Sequence, residues 1–227
     1  LVKVIEAKES AIRERIIRAT NSQTAFGLST LRATDLVQRQ IEDYLLKHGV
    51  YYERRRRLYL NQGIPLDRIV SIDLMGQALV SVVVRLPHVA RETPSKVFDR
   101  DIYDLAFKLQ YPVGMYAAAI HLLRQCDEFL ASVRQESPED FRFHLAMLAG
   151  IALSRRIKPS AAEIAALEHT SVPFSELREL YSLIQDVYNR EGLRRGVYLV
   201  DQLAKSRQIT DVLLTAARSR LHSTPRH

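Results

Sequence analysis

From Ser71 to about Leu221 the apolar residues recur with the helical period, and helix-start signals punctuate the run repeatedly. Ser71 is placed to cap a helix that reaches about Leu86. Pro87 and Pro94 bracket a connector, and shorter helices are expected over 95–109. Pro112 sits in the first turn of a helix to about Arg134. The stretch SPED at 137–140 joins a cap, a proline and two acids, and opens a helix to about Arg156. Another short helix starts at Ser160, and more are expected over 174–191 and, with a break, 198–221. Such a segment must bury its helices against one another, and no sheet is expected within it. With 47% hydrophobic and 26% charged residues, the chain has the apolar surface for a core of that kind.

The upstream part reads differently. Val2, Val4 and Ile5 suggest a short strand, and Ile12, Ile16 and Ile17 form the apolar face of a helix over 9–19. TNSQTAFGLST, residues 20–30, breaks the pattern and reads as a loop. Thr34 or Asp35 can cap a helix over 35–48, which Gly49 ends. In GVYYERRRRLYLNQG, residues 49–63, a helix would scatter Tyr51, Tyr52 and Tyr59 around its axis, so a β-hairpin is expected. The predicted fold class is therefore mainly α, of the α+β kind, with a short N-terminal strand and a β-hairpin ahead of a larger multi-helix C-terminal part. The expected division is a small mixed part over 1–65 and a helical domain over 66–227, with strands confined to the first.

The longest apolar stretch, Ala78 to Val84, is too short to span a bilayer, so no membrane partner is expected. A single cysteine, Cys126, excludes an internal disulfide and fits a reducing cytoplasm. The chain opens on LVKVIEAK, without a start methionine or a signal peptide, and is expected to be the downstream part of a longer protein. Its formal net charge of +7 favours polyanionic partners.

Chemistry-bearing motifs are few. Glu6 and Lys8 have the look of the strand-borne Glu-x-Lys of restriction-type nucleases, in which acids hold Mg²⁺ and the lysine orients water. No earlier acidic element accompanies them, and an edge strand entering a helix explains the same residues. They are the only catalytic candidates, and the stretch on its own is not expected to be an enzyme. The seven histidines lack ligand spacing, and His121 and Cys126 fall on different helical faces, so no metal is expected. His121 reads as a partly buried core residue. No phosphate-loop, dinucleotide or hydrolase motif is present, and no cofactor is expected.

The four successive arginines support two readings. In one, Arg54, Arg55, Arg56 and Arg57 contact phosphates while Tyr51, Tyr52 and Tyr59 stack on an exposed base. In the other, Tyr52 and Tyr59 pack inward and the arginines pair with Glu42, Asp43 and Glu53.

Three features stand in order along the upstream part. They are Asn21 and Gln23 in a TN-x-Q loop, Asp35 and Gln38 (with Arg32 just before) ahead of and within an amphipathic helix, and Gly49 with Tyr52, Arg54 and Arg55. In that order they resemble the AIPR family, named for abortive infection and phage resistance. The good match covers residues 1 to about 100. The resemblance implies a bacterial cytoplasmic protein of phage defence, often encoded beside restriction-modification genes. Members usually carry an upstream region with an NG-x-QT motif and, in many, a nuclease-like segment. The expected function is a nucleic-acid-binding module of an abortive-infection protein. The alternatives are a helical interaction or dimerisation scaffold, or part of a nuclease completed by upstream residues. The expected partners are nucleic acid, and a second copy of the chain or a companion defence protein.

Overall fold

The computed structural model describes residues 28–55, 57–133 and 139–223. The predicted strand at Val2–Ile5, the helix over 9–19, and Glu6, Lys8, Asn21, Gln23 and Arg56 lie outside the described residues. In chain order the helices are α1 (Leu28–Arg32), α2 (Leu36–Lys47), α3 (Ile72–Val82), α4 (Pro87–Glu92), α5 (Arg100–Ala106) and α6 (Gly114–Ser132). They continue as α7 (Glu139–Ser154), α8 (Ala161–Ala165), α9 (Phe174–Arg195), α10 (Val200–Ala204) and α11 (Arg207–Ser223). Two short strands, β1 (Tyr51–Glu53) and β2 (Ile69–Ser71), form a small sheet. The fold is mainly helical.

Three helices make the centre. In α3, Ile72, Met75, Ala78, Leu79, Val80 and Val82 are all buried, so most of the helix's circumference, apart from the Asp73 and Gln77 face, is enclosed. It packs against α6 and α7, which also pack on each other. Along α7 the run from Leu145 to Ala149 is buried without interruption, the pattern of a helix covered all round. Outside this centre, α9 and α11 lie against α7, and α4 bridges α3 and α7. Ser71 caps α3 as expected, its hydroxyl accepting from the Leu74 N–H at 3.1 Å. Ser160 and Glu163 close a reciprocal capping box on α8.

Three local expectations are corrected. LST of the supposed loop already belongs to α1. The supposed Pro87 connector is helical as α4, because proline's fixed φ suits a first helical turn. The largest correction concerns the hairpin. β1 pairs with β2, in parallel, with Tyr52 opposite Val70, so one strand falls beyond residue 65. The physical reason is burial. Ile69 and Val70 give β1 a partner enclosed in the core, whereas Leu58 and Leu60, the would-be return strand, are exposed. A parallel pair requires a long crossover, and residues 54–68 supply it, with short 3₁₀ segments at Leu60–Gln62 and Leu66–Arg68.

Candidate functional site

The turn between α1 and α2 places the expected motif residues together. Asp35 occupies the N-cap position of α2, yet its side chain makes no capping hydrogen bond. Its Oδ2 instead accepts from the Tyr103 hydroxyl at 2.8 Å. Gln38, one turn along α2 and fully buried, donates through Nε2 to the Tyr103 oxygen at 3.0 Å. The Tyr52 hydroxyl, on buried β1, donates to Gln38 Oε1 at 2.5 Å. Each donor thus points toward Asp35: Tyr52 to Gln38, Gln38 to Tyr103, Tyr103 to the carboxylate. Burial, with the Asp35 carboxylate adding to it, pushes the Tyr103 hydroxyl well above the ordinary phenol range, so it stays a donor. Burial does the same to Tyr52.

Arg32 closes the cluster. Its guanidinium carbon lies 4.3 Å from the Tyr103 ring centroid, and its Nη1 is 3.7 Å from Asp35 Oδ2. Arg32 and Asp35 keep 31% and 35% of their side-chain surface exposed, so this end of the chain of bonds opens to solvent. It opens into a cleft of about 350 Å³, with Leu28, Leu31, Arg32 and Asp35 on one side and Phe98, Asp99 and Arg100 on the other.

The arginine stretch begins beside this turn. Arg54 donates from Nε and Nη2 to Glu42 Oε2, at 2.9 and 2.6 Å, and from Nη1 to the Ala33 carbonyl at 2.5 Å. It therefore ties β1 to α2 and to the α1–α2 turn. Tyr59 donates its hydroxyl to Glu42 Oε1 at 3.2 Å, and its backbone N–H donates to Glu53 Oε1 at 3.2 Å. Its ring meets that of Tyr51 edge-on, with centroids 5.2 Å apart. Tyr52 is in the core and unavailable for stacking. Arg55 and Arg57 are exposed and form no ion pair among the described residues. Arg57 has φ +60°, a left-handed conformation that turns the chain sharply after the arginines. The second sequence reading thus describes Tyr52 and Arg54, and the first remains open to Arg55 and Arg57.

A second polar chain lies in the core between α4, α7, α9 and α11. The Tyr188 hydroxyl donates to the Asp140 carbonyl at 3.1 Å and accepts from His144 Nδ1 at 3.0 Å. His144 Nε2 then accepts from the Thr210 hydroxyl at 3.0 Å, and Thr210 accepts from His88 Nδ1 at 3.0 Å. Burial drives the His144 pKa down to about 3, so a neutral ring satisfies every bond in this order. Arg91 donates to Asp140 Oδ1 at 2.8 and 2.6 Å at the edge of this chain.

Sequence reasoning singled out Arg32, Asp35, Gln38 and Tyr52, and the structure gathers all four. It missed Tyr103, Phe98, Asp99 and Arg100, which come from a 3₁₀ turn (Pro94–Phe98) and α5, far along the chain, with no shared spacing. The histidine chain was missed for the same reason. Exposed large apolar side chains occur at the corner between α9 and α10, where Leu193, Tyr198 and Leu199 face solvent. Among the described residues, no group of three His, Cys, Asp or Glu is placed to hold a metal ion. Nor is any helix among them long and apolar enough to cross a membrane.

Fold and geometry together define a mainly helical protein with a polar cleft beside an arginine-bearing crossover. The family model described as AIPR protein matches residues 1–195, so the chain belongs to the AIPR family, and that membership implies abortive-infection phage resistance. No curated protein and no solved structure matches the chain.

Proposed function

We propose that this chain supplies a nucleic-acid contact of an abortive-infection protein, through Arg55 and Arg57 at the start of the crossover. The observation that carries the reading is the division of labour among the arginines. Arg54 is fixed by Glu42 and by the Ala33 carbonyl, and this holds the next residues on a stiff base. Arg55 and Arg57 then project into solvent without a carboxylate among the described residues to neutralise them. Arg39, exposed on α2 one turn before Glu42, adds charge on the same helix face. Phosphate contacts of this kind give affinity through counterion release and carry no sequence information of their own.

The test is the salt dependence of binding to a single-stranded oligonucleotide. Replacing Arg55 and Arg57 together by Gln weakens binding and lowers the slope of log K against log salt by ~0.7 for each lost contact. An unchanged slope, or no binding by the parent protein at low salt, rejects the reading.

A second reading, association with another copy of the chain, is favoured by the exposed Leu193, Tyr198 and Leu199. Light scattering across a concentration series tests it. A mass that stays monomeric removes it, and a dimer that Tyr198→Ser dissociates supports it.

A further inference from the structure

The cleft beside Asp35 has a chemistry that the arginine loop does not use. One carboxylate oxygen, Oδ2, is held by Tyr103 and lies near Arg32, whereas Oδ1 has no hydrogen-bond partner among the described residues. The carboxylate is held away from the α2 cap, because Tyr52, Gln38 and Tyr103 form a directed chain of donors ending on it. It is a fixed acceptor edge at the mouth of a cleft of about 350 Å³. That volume is at the small end for ligand sites and suits a single base or nucleotide. The walls fit a flat ring: Leu28 and Leu31 are apolar and exposed, the core residue Phe98 completes the lining, and the Arg32 guanidinium adds a planar surface already stacked on Tyr103.

Charge decides the kind of donor. The cleft carries Asp35 and Asp99 against Arg32 and Arg100, so it is balanced. A cationic guanidinium from a basic peptide would meet two guanidiniums, Arg32 and Arg100, there. A neutral ring with paired N–H groups and an attached phosphate would not. Among the common bases, guanine alone places two adjacent donors, N1–H and N2–H, on its pairing edge, and these match the two oxygens of a carboxylate. Oδ2 has a second lone pair beyond the one Tyr103 uses. Arg100 is 86% exposed, its one ion pair among the described residues is a 3.8 Å approach to Asp104, and it is available to a phosphate.

We infer that this cleft binds a guanine base, with Asp35 accepting from its N1–H and N2–H and Arg100 meeting its phosphate. The base comes from a free nucleotide or from one unstacked out of a single strand, and only the second source rests on the nucleic-acid reading above. Tyr103 and Gln38 are positioning residues for the carboxylate.

Calorimetric titration of the protein with guanosine, inosine and adenosine monophosphates tests the inference. Inosine lacks only the N2 amine, so guanosine monophosphate is expected to bind about tenfold more tightly, the worth of one charge-assisted hydrogen bond. Adenosine monophosphate, which presents no N1–H, binds more weakly still. Asp35→Asn abolishes the preference for guanosine over inosine monophosphate. The same comparison on the unaltered protein serves if that variant does not fold. In a second arm, a short oligothymidylate with one guanine is compared with the all-thymidine strand. A preference there assigns the base to a strand, and mononucleotide binding without it assigns a free nucleotide. Replacing Arg55 and Arg57 weakens binding of the all-thymidine strand and leaves guanosine monophosphate unaffected, which separates the two readings. Equal binding of guanosine and inosine monophosphates overturns the inference. So does absence of guanine preference in both arms, or capture of N-acetylarginine amide in place of the nucleotide.

Discussion

Two chains of buried hydrogen bonds run through this molecule, and they end differently. The one through Tyr52, Gln38 and Tyr103 terminates on Asp35, a carboxylate about one-third exposed at the rim of a cleft. The one through His88, Thr210, His144 and Tyr188 terminates on the Asp140 backbone carbonyl inside the core. Both satisfy groups that would be costly to bury alone. The closed chain returns nothing to the surface, so its work is complete in holding four helices together. The open chain fixes the direction of an acceptor that solvent or a ligand can reach. Orientation of an accessible group by inaccessible ones is what distinguishes a site from packing.

Substitutions can break that comparison or sharpen it. The largest effect is expected at Gln38, the middle of the open chain. Gln38→Leu leaves the fully buried Tyr52 hydroxyl without its acceptor and removes a donor from Tyr103, at a cost of about 2–4 kcal/mol in chemical denaturation. A loss below about 1 kcal/mol would mean the network is not closed in solution.

The closed chain is best probed with pH. His144 is neutral when folded, with a pKa of about 3, whereas an unfolded histidine titrates near ~6.5. The unfolded state therefore binds the extra proton first as pH falls. This contribution to stability is complete above about pH 6.5 and is lost progressively between there and pH 3, by about 2 kcal/mol at pH 5. Urea denaturation at pH 7 and pH 5 measures it, and His144→Gln is expected to be less stable at pH 7 but with a flatter slope. An equally steep slope in the variant would place the titration elsewhere.

Arg54 and Arg57 differ by less. Arg54→Gln breaks the tie to Glu42 and Ala33 and is expected to cost about 1–2 kcal/mol, since the pair is largely shielded. Arg57→Gln, exposed and unpaired among the described residues, changes stability by less than about 0.5 kcal/mol. Equal effects would erase the distinction between anchor and presented charge. Asp35→Asn falls between these two, below about 1 kcal/mol, because the amide oxygen can still accept from Tyr103 at an open end. A larger loss would make Asp35 a structural residue like the closed chain's members.

Much of this was legible beforehand. The caps at Ser71 and Ser160 and the helical period after Ser71 act over a few residues, and local patterns reveal local causes. Arg32, Asp35 and Gln38 stand close together along the chain, so their common turn could be found. Tyr103 could not, because its partnership with Asp35 and Gln38 depends on how α5 packs against the rest. The hairpin failed for a related reason: Tyr51, Tyr52, Leu58 and Leu60 flank a polar stretch like two strands, but only packing decides which pairing is buried. Asp35 misled more subtly, as its N-cap position is local and its actual bond is distant.

The parallel pairing of β1 with β2 has a consequence for how such a protein can change. Both ends of residues 54–68 are clamped, one by the strand pair and Arg54, the other by β2 leading into α3. Lengthening a closed loop is thermodynamically mild, about 0.6 kcal/mol for each doubling, since the ends stay where they are. Insertions, deletions and exchanges of charge in this crossover can therefore accumulate without disturbing the helical core. In a member of a phage-resistance family, such a segment can change in sequence while the scaffold stays constant.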